Sequence, residues 1–169
     1  LWSYTLSDSV HRLHHDFELM PNGNILAITW ERKDSLSSVQ AGRDPSLLPQ
    51  GEIWVDKIIE IQPIGIDSGV IVWEWSAWDH LVQDFDTTKD NFGNVSLSPR
   101  LLNINEGSSA PDWMHSNALD YNVHKDIIAL NSPEMDEFYF IDHSTTTVEA
   151  ASSSGGNFGF GGDFLFRWG

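Results

Sequence analysis

A short strand-like pattern recurs three times in the chain and limits the folds that are open to it. The pattern is apolar, aromatic, polar, aromatic, and it occurs at Leu1-Trp2-Ser3-Tyr4, Val72-Trp73-Glu74-Trp75 and Leu165-Phe166-Arg167-Trp168. An alternation of this kind is typical of β-strands, and recurrence indicates repeated structural units. Three copies therefore predict three units. Their spacing exceeds the ~40–50 residues of simple blade repeats, so the units must contain insertions.

A second recurrence places histidines ahead of hydrophobic strands. The segment His14-His15-Asp16 is followed, after the polar turn Pro21-Asn22-Gly23-Asn24, by the strand-like run Ile25-Leu26-Ala27-Ile28. The segment Asp112-Trp113-Met114-His115-Ser116-Asn117 is followed in the same way by Ile127-Ile128-Ala129-Leu130. We therefore expect His115 and one of His14 or His15 to occupy corresponding places in neighbouring units and to meet at one cavity.

The period-2 patterns and turn residues predict ten short strands and no long amphipathic helix. The predicted strands are Trp2–Leu6, Asp16–Leu19, Ile25–Trp30, Glu52–Ile61, Val70–Trp75, Ala118–Tyr121, Asp126–Asn131, Glu137–Asp142, Thr147–Ala150 and Phe164–Trp168. This all-β pattern favours a β-propeller, with a β-sandwich as the alternative. Ten strands make about two and a half to three four-stranded blades, whereas propellers close with about 4–8. We therefore expect further chain segments or partner copies to complete the ring.

Length and composition limit the number of domains, the partners and the kinds of site that the chain can have. A chain of 169 residues fits one domain, here a single partial propeller over residues 1–169. The net charge of −16 repels nucleic acid and anionic membrane surfaces, so neither is an expected partner. The chain has no cysteine, which removes thiolate metal sites and a cysteine nucleophile. No run of about 18 apolar residues is present, so we expect no membrane insertion.

Two polar stretches are predicted to be insertions on the channel face of the propeller, since such excursions shape the mouth of radially repeated β folds. They cover residues 33–50 and 78–110, and a short helical piece is expected around Asp79–Gln83. Asp84, Asp86 and Asp90 alternate as calcium ligands do, but the stretch lacks the glycine and terminal glutamate of an EF-hand loop. A solvated acidic loop is the favoured interpretation, and we predict no metal site.

Five motifs occur in order along the chain and together resemble those of the aryl-sulfate sulfotransferases. They are His14-His15-Asp16 with Asn22-Gly23-Asn24, the segment 78–86, the segment 112–117, Ile141-Asp142-His143-Ser144-Thr145-Thr146-Thr147, and the segment 161–169. The resemblance implies a six-bladed β-propeller with its site at the central channel. It also implies transfer of a sulfuryl group from a phenolic sulfate ester to a phenol, without a nucleotide donor or other cofactor. A periplasmic or extracellular location is expected on the same basis.

The resemblance also assigns candidate residues. It implies that His115 and the His14-His15 pair line the sulfate pocket, and it places the family's nucleophilic histidine beyond Gly169. The family's S-S-R-H segment corresponds to Asn131-Ser132-Pro133-Glu134 here, so proline stands in place of a sulfate-binding arginine and glutamate in place of a histidine. The alternative function is a non-catalytic binding or structural propeller that has kept the scaffold.

Imidazole suits this chemistry, because it is a nucleophile or base when neutral and a hydrogen-bond donor to an oxyanion when protonated. The candidate catalytic histidines are His115, His15, His14 and His80. Adjacent residues of an extended strand point to opposite faces, so only one of His14 and His15 is predicted to face the channel. Trp113 and Asn117 are candidate substrate-binding residues, with Trp113 as an aromatic wall for a phenol. The other histidines, His11, His124 and His143, are predicted to be solvated surface residues.

Overall fold

The computed structural model describes all 169 residues, and the chain is all-β with two short α-helices, as the sequence predicts. The elements are β1 (His11–Leu19), β2 (Ile25–Asp34), α1 (Ser35–Gln40), β3 (Glu52–Ile64), β4 (Ser68–Ser76), β5 (Leu81–Val82), β6 (Leu102–Asn103), β7 (Ala118–Asn122), β8 (Ile127–Ser132), β9 (Glu137–Asp142), α2 (Thr147–Ala150) and β10 (Phe166–Trp168). No helix is long and apolar enough to cross a bilayer.

Eight of the strands form two antiparallel meanders of four strands each. The first sheet has the order β1-β2-β3-β4 and the second the order β7-β8-β9-β10, while β5 and β6 form a separate parallel pair. A meander of four consecutive antiparallel strands is the structure of a propeller blade. The chain thus contains two blade-like sheets rather than two and a half to three, and these two sheets do not close a ring by themselves.

The main core lies between the facing sides of the two sheets, where β1 packs beside β7. Side chains alternate along each strand, so one face of the strand supplies residues to this core and the other face points away from it. The first sheet contributes Ile28 and Trp75, and the second contributes Leu130 and Ile141, all almost fully buried. Burying each such side chain stabilises the fold by roughly 1.5–3 kcal/mol before entropy is counted.

Two predicted strands are wrong. The segment predicted as the strand Trp2–Leu6 forms no ladder and has no regular secondary structure; the Trp2 Nε1 atom donates to the Ser68 carbonyl at 2.8 Å. Residues 147–150 form α2 instead of a strand. The helix begins at a capping box, in which the Thr146 hydroxyl accepts from the Glu149 backbone N–H and the Glu149 carboxylate accepts from the Thr146 backbone. This T-x-x-E signal outweighs the β-propensity of Thr and Val.

The repeated aromatic pattern does not place its aromatic residues on the same face in each copy. Trp73 and Trp75 on β4 are buried in the main core, where large aromatic residues of repeated strands are usually found. Trp168 belongs to the same pattern, but it is 66% exposed, and Phe166 is exposed beside it. Both pack against Phe138 on the outer side of the second sheet. A strand pattern fixes alternation, but the pairing register decides which face meets the core.

The two insertions are tied together by one buried arginine. Arg43 follows α1 and is almost inaccessible, and its guanidinium donates to the carbonyls of Ile104, Glu106 and Ser108 in the second insertion. Burial lowers the pKa of Arg43 to about 10. The side chain therefore acts as a cross-link whose two terminal NH2 groups donate to backbone oxygens.

The expected helical piece at residues 79–83 is instead a 3-10 turn, Ala77–Asp79, followed by the short strand β5. In the acidic stretch that follows, the Asp86 carboxylate accepts from the backbone N–H and the hydroxyl of Thr88. No group of three or more His, Asp or Glu side chains in the chain is arranged to hold a metal ion.

Candidate functional site

Three histidines meet where the edge strands β1 and β7 of the two sheets lie side by side. His14 and His15 lie on β1, and their Nδ1 atoms are 2.9 Å apart. His115 lies just before β7, and its ring centroid is 4.6 Å from that of His15. His115 and the His14-His15 pair therefore lie together, as expected from the repeat, although His115 does not line the cavity beside the pair.

An irregularity in β1 brings His14 and His15 together. The pairing register with β2 shifts between Leu13 and Phe17, and His15 has a left-handed backbone with φ 50°. This break in the pleat cancels the alternation that would send adjacent side chains to opposite faces. The prediction that only one of the two histidines faces the site is therefore wrong.

Both histidines that face each other across the site have strained backbones. His15 has φ 50° and His115 has φ 53°, in the left-handed region that non-glycine residues seldom adopt. Each such residue costs of order 1–3 kcal/mol and persists only where surrounding contacts hold it. Strain of this kind is concentrated at functional sites, which distinguishes these two positions from the other histidines of the chain.

His115 is oriented by a carboxylate three residues before it. Its Nδ1 atom forms a short hydrogen bond with the Asp112 carboxylate, and its Nε2 atom has no hydrogen-bond partner. The hydrogen bond to Asp112 raises the pKa of His115 above its ordinary value of 6.5, against the opposing effect of partial burial. The negative charges of Asp112, Asp56 and Glu134 raise it further. His115 is therefore biased toward the imidazolium form.

His14 lies deeper, with its side chain 5% exposed. Its ring stacks on Trp30 with centroids 4.0 Å apart, and its Nε2 atom is 3.3 Å from Asp56 Oδ1. These two atoms are close but not aligned for a hydrogen bond. The second oxygen of Asp56 accepts from the backbone N–H of Ser116 at 2.8 Å. Asp56 on β3 therefore joins the histidines of β1 to the His115 segment.

A second carboxylate, on β1, also joins the first sheet to the region that carries His115. Asp16, which follows His15, accepts from the backbone N–H of Leu119 on β7 at 2.9 Å. Asp56 on β3 and Asp16 on β1 thus hold the segment that carries His115 against the first sheet at two points. The spacing of His15 and His115 is thus set by side chain to backbone hydrogen bonds between the sheets.

An apolar cavity of about 470 Å³ opens beside the histidine pair. Its walls include Trp2, Tyr4 and Phe17, together with His14 and His15. The volume falls in the range of small-molecule sites, and an aromatic lining with a few polar groups at one end is typical of them. A ligand with an aryl body and a polar group directed at the imidazoles fits this arrangement.

The structure does not bring His80 to the three histidines. Its ring is fully buried; Nδ1 bonds Asp163 Oδ1 at 2.7 Å and Nε2 bonds the Ala150 carbonyl at 2.8 Å. The ring also stacks on Trp75 with centroids 5.6 Å apart. Both nitrogens of His80 are occupied, so the residue has the contacts of a structural cross-link.

The two candidate substrate-binding residues lie in different surroundings. Trp113 is fully buried in the main core, and its Nε1 atom donates to the Glu106 carbonyl at 2.6 Å. Asn117 is exposed two residues after His115. As the chain is folded here, Trp113 presents no surface to a ligand, whereas the indole of Trp30 stacks directly on His14.

His143, predicted to be a solvated surface residue, is buried. Its side chain is 9% exposed; Nδ1 bonds Asp126 at 2.7 Å and Nε2 bonds Glu60 at 3.1 Å. The ring packs edge-on against Trp73, with centroids 4.7 Å apart. Because Glu60 belongs to the first sheet and His143 directly follows β9 of the second, this histidine bridges the two sheets. The prediction for His143 is wrong because nearby polar turn residues hide its long-range partners.

The electrostatics of the site are unusual for an anion-binding pocket. Glu134 and Pro133 form a 3-10 turn next to the His115 segment, where the Glu134 N–H donates to the Met114 carbonyl at 3.3 Å. No lysine or arginine makes a hydrogen bond or ion pair with the three histidines. Positive charge at the site must therefore come from the imidazoles.

Sequence reasoning missed the carboxylates that orient the site. Asp112 stands three residues before His115 within one motif, a spacing that could have indicated a carboxylate–imidazole pair. Asp56 gave no such signal, since it is distant in sequence from both segments that it joins and lies in a hydrophobic strand. Trp30 likewise looked like an ordinary strand aromatic.

Fold and site together define an all-β protein of blade-like sheets with a carboxylate-supported histidine cluster between them. The chain belongs to the arylsulfotransferase (ASST) family, whose sequence model matches residues 1–158. This confirms the family resemblance seen in the motifs. Searches of curated proteins and of solved structures gave no match.

Proposed function

We propose that the chain is an aryl-sulfate sulfotransferase-like protein that transfers a sulfuryl group from a phenolic sulfate ester to a phenol at the His14, His15 and His115 cluster. The observation that carries the proposal is the 4.6 Å approach of the His15 and His115 rings, both on left-handed backbone, beside an aromatic cavity. Membership of the arylsulfotransferase family supports the reaction class.

The site offers the two kinds of group that such a transfer needs. The charge of the transition state is spread over the non-bridging oxygens and the leaving oxygen, so catalysis depends on positioned donors. Asp112 favours the charged form of His115, which can donate from Nε2 to a sulfate oxygen or to the departing phenolate. The aryl groups of donor and acceptor would occupy the apolar cavity next to His14 and His15.

The proposed setting is a six-bladed propeller, for which the two sheets supply blades and further chain segments or copies supply the rest. The two insertions, residues 33–50 and 78–110, would then border the channel. A periplasmic or extracellular location is proposed from the family. No cofactor or metal takes part in the proposed reaction.

A binding or structural role is the second candidate, and the region around Pro133 favours it. Proline offers no donor where an arginine fork would hold two sulfate oxygens, and Glu134 adds a negative charge that acts on His115. An anionic donor would therefore bind weakly unless the histidines are protonated.

The test is the release of nitrophenol from 4-nitrophenyl sulfate, with phenol as acceptor. We expect little transfer by the 169-residue chain, loss of that transfer in His115→Ala by about 10²–10³-fold, and no change in the surface variant His124→Ala. Pro133→Arg should raise the rate, with Pro133→Ala as the control for removing the proline.

Three results would discriminate between the candidates. Robust transfer that His115→Ala abolishes would show that the histidines present suffice without a further one. Binding of 4-nitrophenyl sulfate without turnover, in both the native chain and Pro133→Arg, would favour the binding role. Transfer that persists in His115→Ala would overturn the assignment of this site.

A further inference from the structure

Among the buried polar atoms beside the histidine cluster that have no hydrogen-bond partner, two face each other. They are His14 Nε2 and Asp56 Oδ1, on side chains that are 5% and 1% exposed, and they lie 3.3 Å from each other. Buried polar groups are nearly always paired, and catalytic hydrogen bonds are often misaligned until a ligand binds. A small rotation of either side chain would pair these two atoms with each other, and the carboxylate would then hold a proton on His14 Nε2.

A proton on Nε2 determines the role of the other nitrogen of His14. A neutral imidazole carries one N–H, so His14 Nδ1 must be an acceptor. The atom facing it at 2.9 Å is His15 Nδ1, and a hydrogen bond between them requires that His15 Nδ1 is the donor. His15 then has no hydrogen on Nε2, and that atom keeps its lone pair.

The remaining nitrogen of His15 is free to react. The side chain of His15 is exposed, its Nε2 atom makes no hydrogen bond, and its ring lies against that of His115. The left-handed backbone of His15 holds the ring in this position rather than on the opposite face of β1. An unprotonated nitrogen therefore lies next to the imidazole that Asp112 biases toward its charged form.

We propose that Asp56, His14 and His15 form a hydrogen-bonded relay that fixes His15 as the base of the site, so that His15 and His115 divide the base and acid roles. The order carboxylate, imidazole, acting group follows the logic of catalytic triads, in which the carboxylate sets the tautomer. His14 and Asp56 are positioning residues in this scheme.

The acid and base roles rest on the proposed sulfuryl transfer, and the step balances. His15 Nε2 takes the proton of the acceptor phenol as its oxygen forms the new bond to sulfur, whether the sulfuryl group is still on the donor or has passed to the nucleophilic histidine that the family resemblance implies. The bond from sulfur to the donor oxygen breaks, and His115 gives its proton to that oxygen. Protonated His15 and neutral His115 then return to their starting states by proton exchange with water.

The relay is tested without substrate by the ¹⁵N NMR of labelled histidines, which reports the tautomer of each ring. We expect the Nε2–H form for His14 and the Nδ1–H form for His15. In Asp56→Asn the amide oxygen can still accept from Ser116, while the amide N–H₂ faces His14 and favours the reverse tautomer in both rings. Asp120→Asn is the matched control, because Asp120 is exposed, accepts from the backbone N–H of Tyr121 and bonds no imidazole.

A chemical readout follows from the same variants. Diethyl pyrocarbonate acylates unprotonated ring nitrogens, so mass spectrometry of modified peptides measures the availability of His15 Nε2. We expect the rate at His15 to fall roughly tenfold in Asp56→Asn and to stay unchanged in Asp120→Asn, since one ordinary hydrogen bond shifts a tautomer population by about that factor.

The relay is overturned if native His15 carries its proton on Nε2, or if Asp56→Asn leaves both tautomers and the modification rate as they were. These readouts need no turnover, so they are independent of the proposed function. The native chain could show the expected tautomers and no sulfuryl transfer, which would reject the reaction and leave the relay.

Discussion

Two groups of histidines in this chain differ in the contacts of their second ring nitrogen. His80 and His143 are buried, and each has both ring nitrogens bonded. His15 and His115 each have one nitrogen bonded and Nε2 unpartnered, with the rings partly or fully open to solvent. The first arrangement fixes an imidazole as a cross-link, whereas the second orients it and leaves one nitrogen for chemistry.

The backbone separates the same two groups. His15 and His115 are left-handed, while His80 and His143 are not among the residues with positive φ. Cross-linking imidazoles stabilise the fold without strain at their own positions, whereas the open pair is held at a local cost that the carboxylates Asp16 and Asp56 help to offset. Substitutions of His80 or His143 should therefore lower stability more than substitutions of His15 or His115, which should mainly lower activity.

The largest effect on stability is expected at His80. His80→Ala removes two buried hydrogen bonds and the stack on Trp75, and it leaves the carboxylate of Asp163 without its partner. A loss of about 3 kcal/mol in the free energy of unfolding follows from the missing contacts and the unpaired buried charge. Urea unfolding monitored by tryptophan fluorescence measures it, with the exposed residue His124→Ala as control. A loss below about 1 kcal/mol would contradict the cross-link assignment.

A smaller loss is expected at His143. His143→Ala breaks the bonds to Asp126 and Glu60, but the side-chain amides of Asn22 and Asn24 still donate to Glu60. The buried carboxylate thus keeps partners, and we expect a loss of about 2 kcal/mol in the same urea experiment. A loss equal to or greater than that of His80→Ala would show that the bridge between the sheets matters more than the residual pairing allows.

The same contrast shows how far sequence alone reaches. The strand patterns predicted the all-β class, and the repeated histidine segments predicted that His115 meets the His14-His15 pair. These features depend on local periodicity and on similarity between units. Whether a histidine is open or bonded at both nitrogens depends on distant partners such as Asp163 for His80 and Glu60 for His143. No local pattern carries that information.

The register of strand pairing is the second property that could not be predicted from the sequence. The register shift in β1 that brings His14 and His15 to the same side coincides with the left-handed backbone of His15. No glycine or other turn residue in the sequence indicates that conformation. The exposed position of Trp168 has a similar origin, because its pattern matches that of Trp73 and Trp75 but its strand pairs in the other phase. Pairing between strands decides such matters, and it is a property of the assembled sheet.

The smallest effect on stability is expected at His115, one of the two open histidines. Because the pKa of His115 is raised in the folded chain by its bond to Asp112, the stabilisation is fully present below about pH 6.5 and is lost as the pH rises through the folded value. Solvent screens this pair, since the His115 side chain is 38% exposed, so the contribution should stay below about 1 kcal/mol.

The measurement is the difference in unfolding free energy between the native chain and Asp112→Asn, taken at pH 5.5 and at pH 8.5. That difference should be larger at the lower pH, because charged His115 favours a carboxylate over an amide, and the other histidines cancel in the comparison. A difference that grows toward pH 8.5 would mean that Asp112 does not favour the imidazolium form, and His115 would then lose its claim to the acid role.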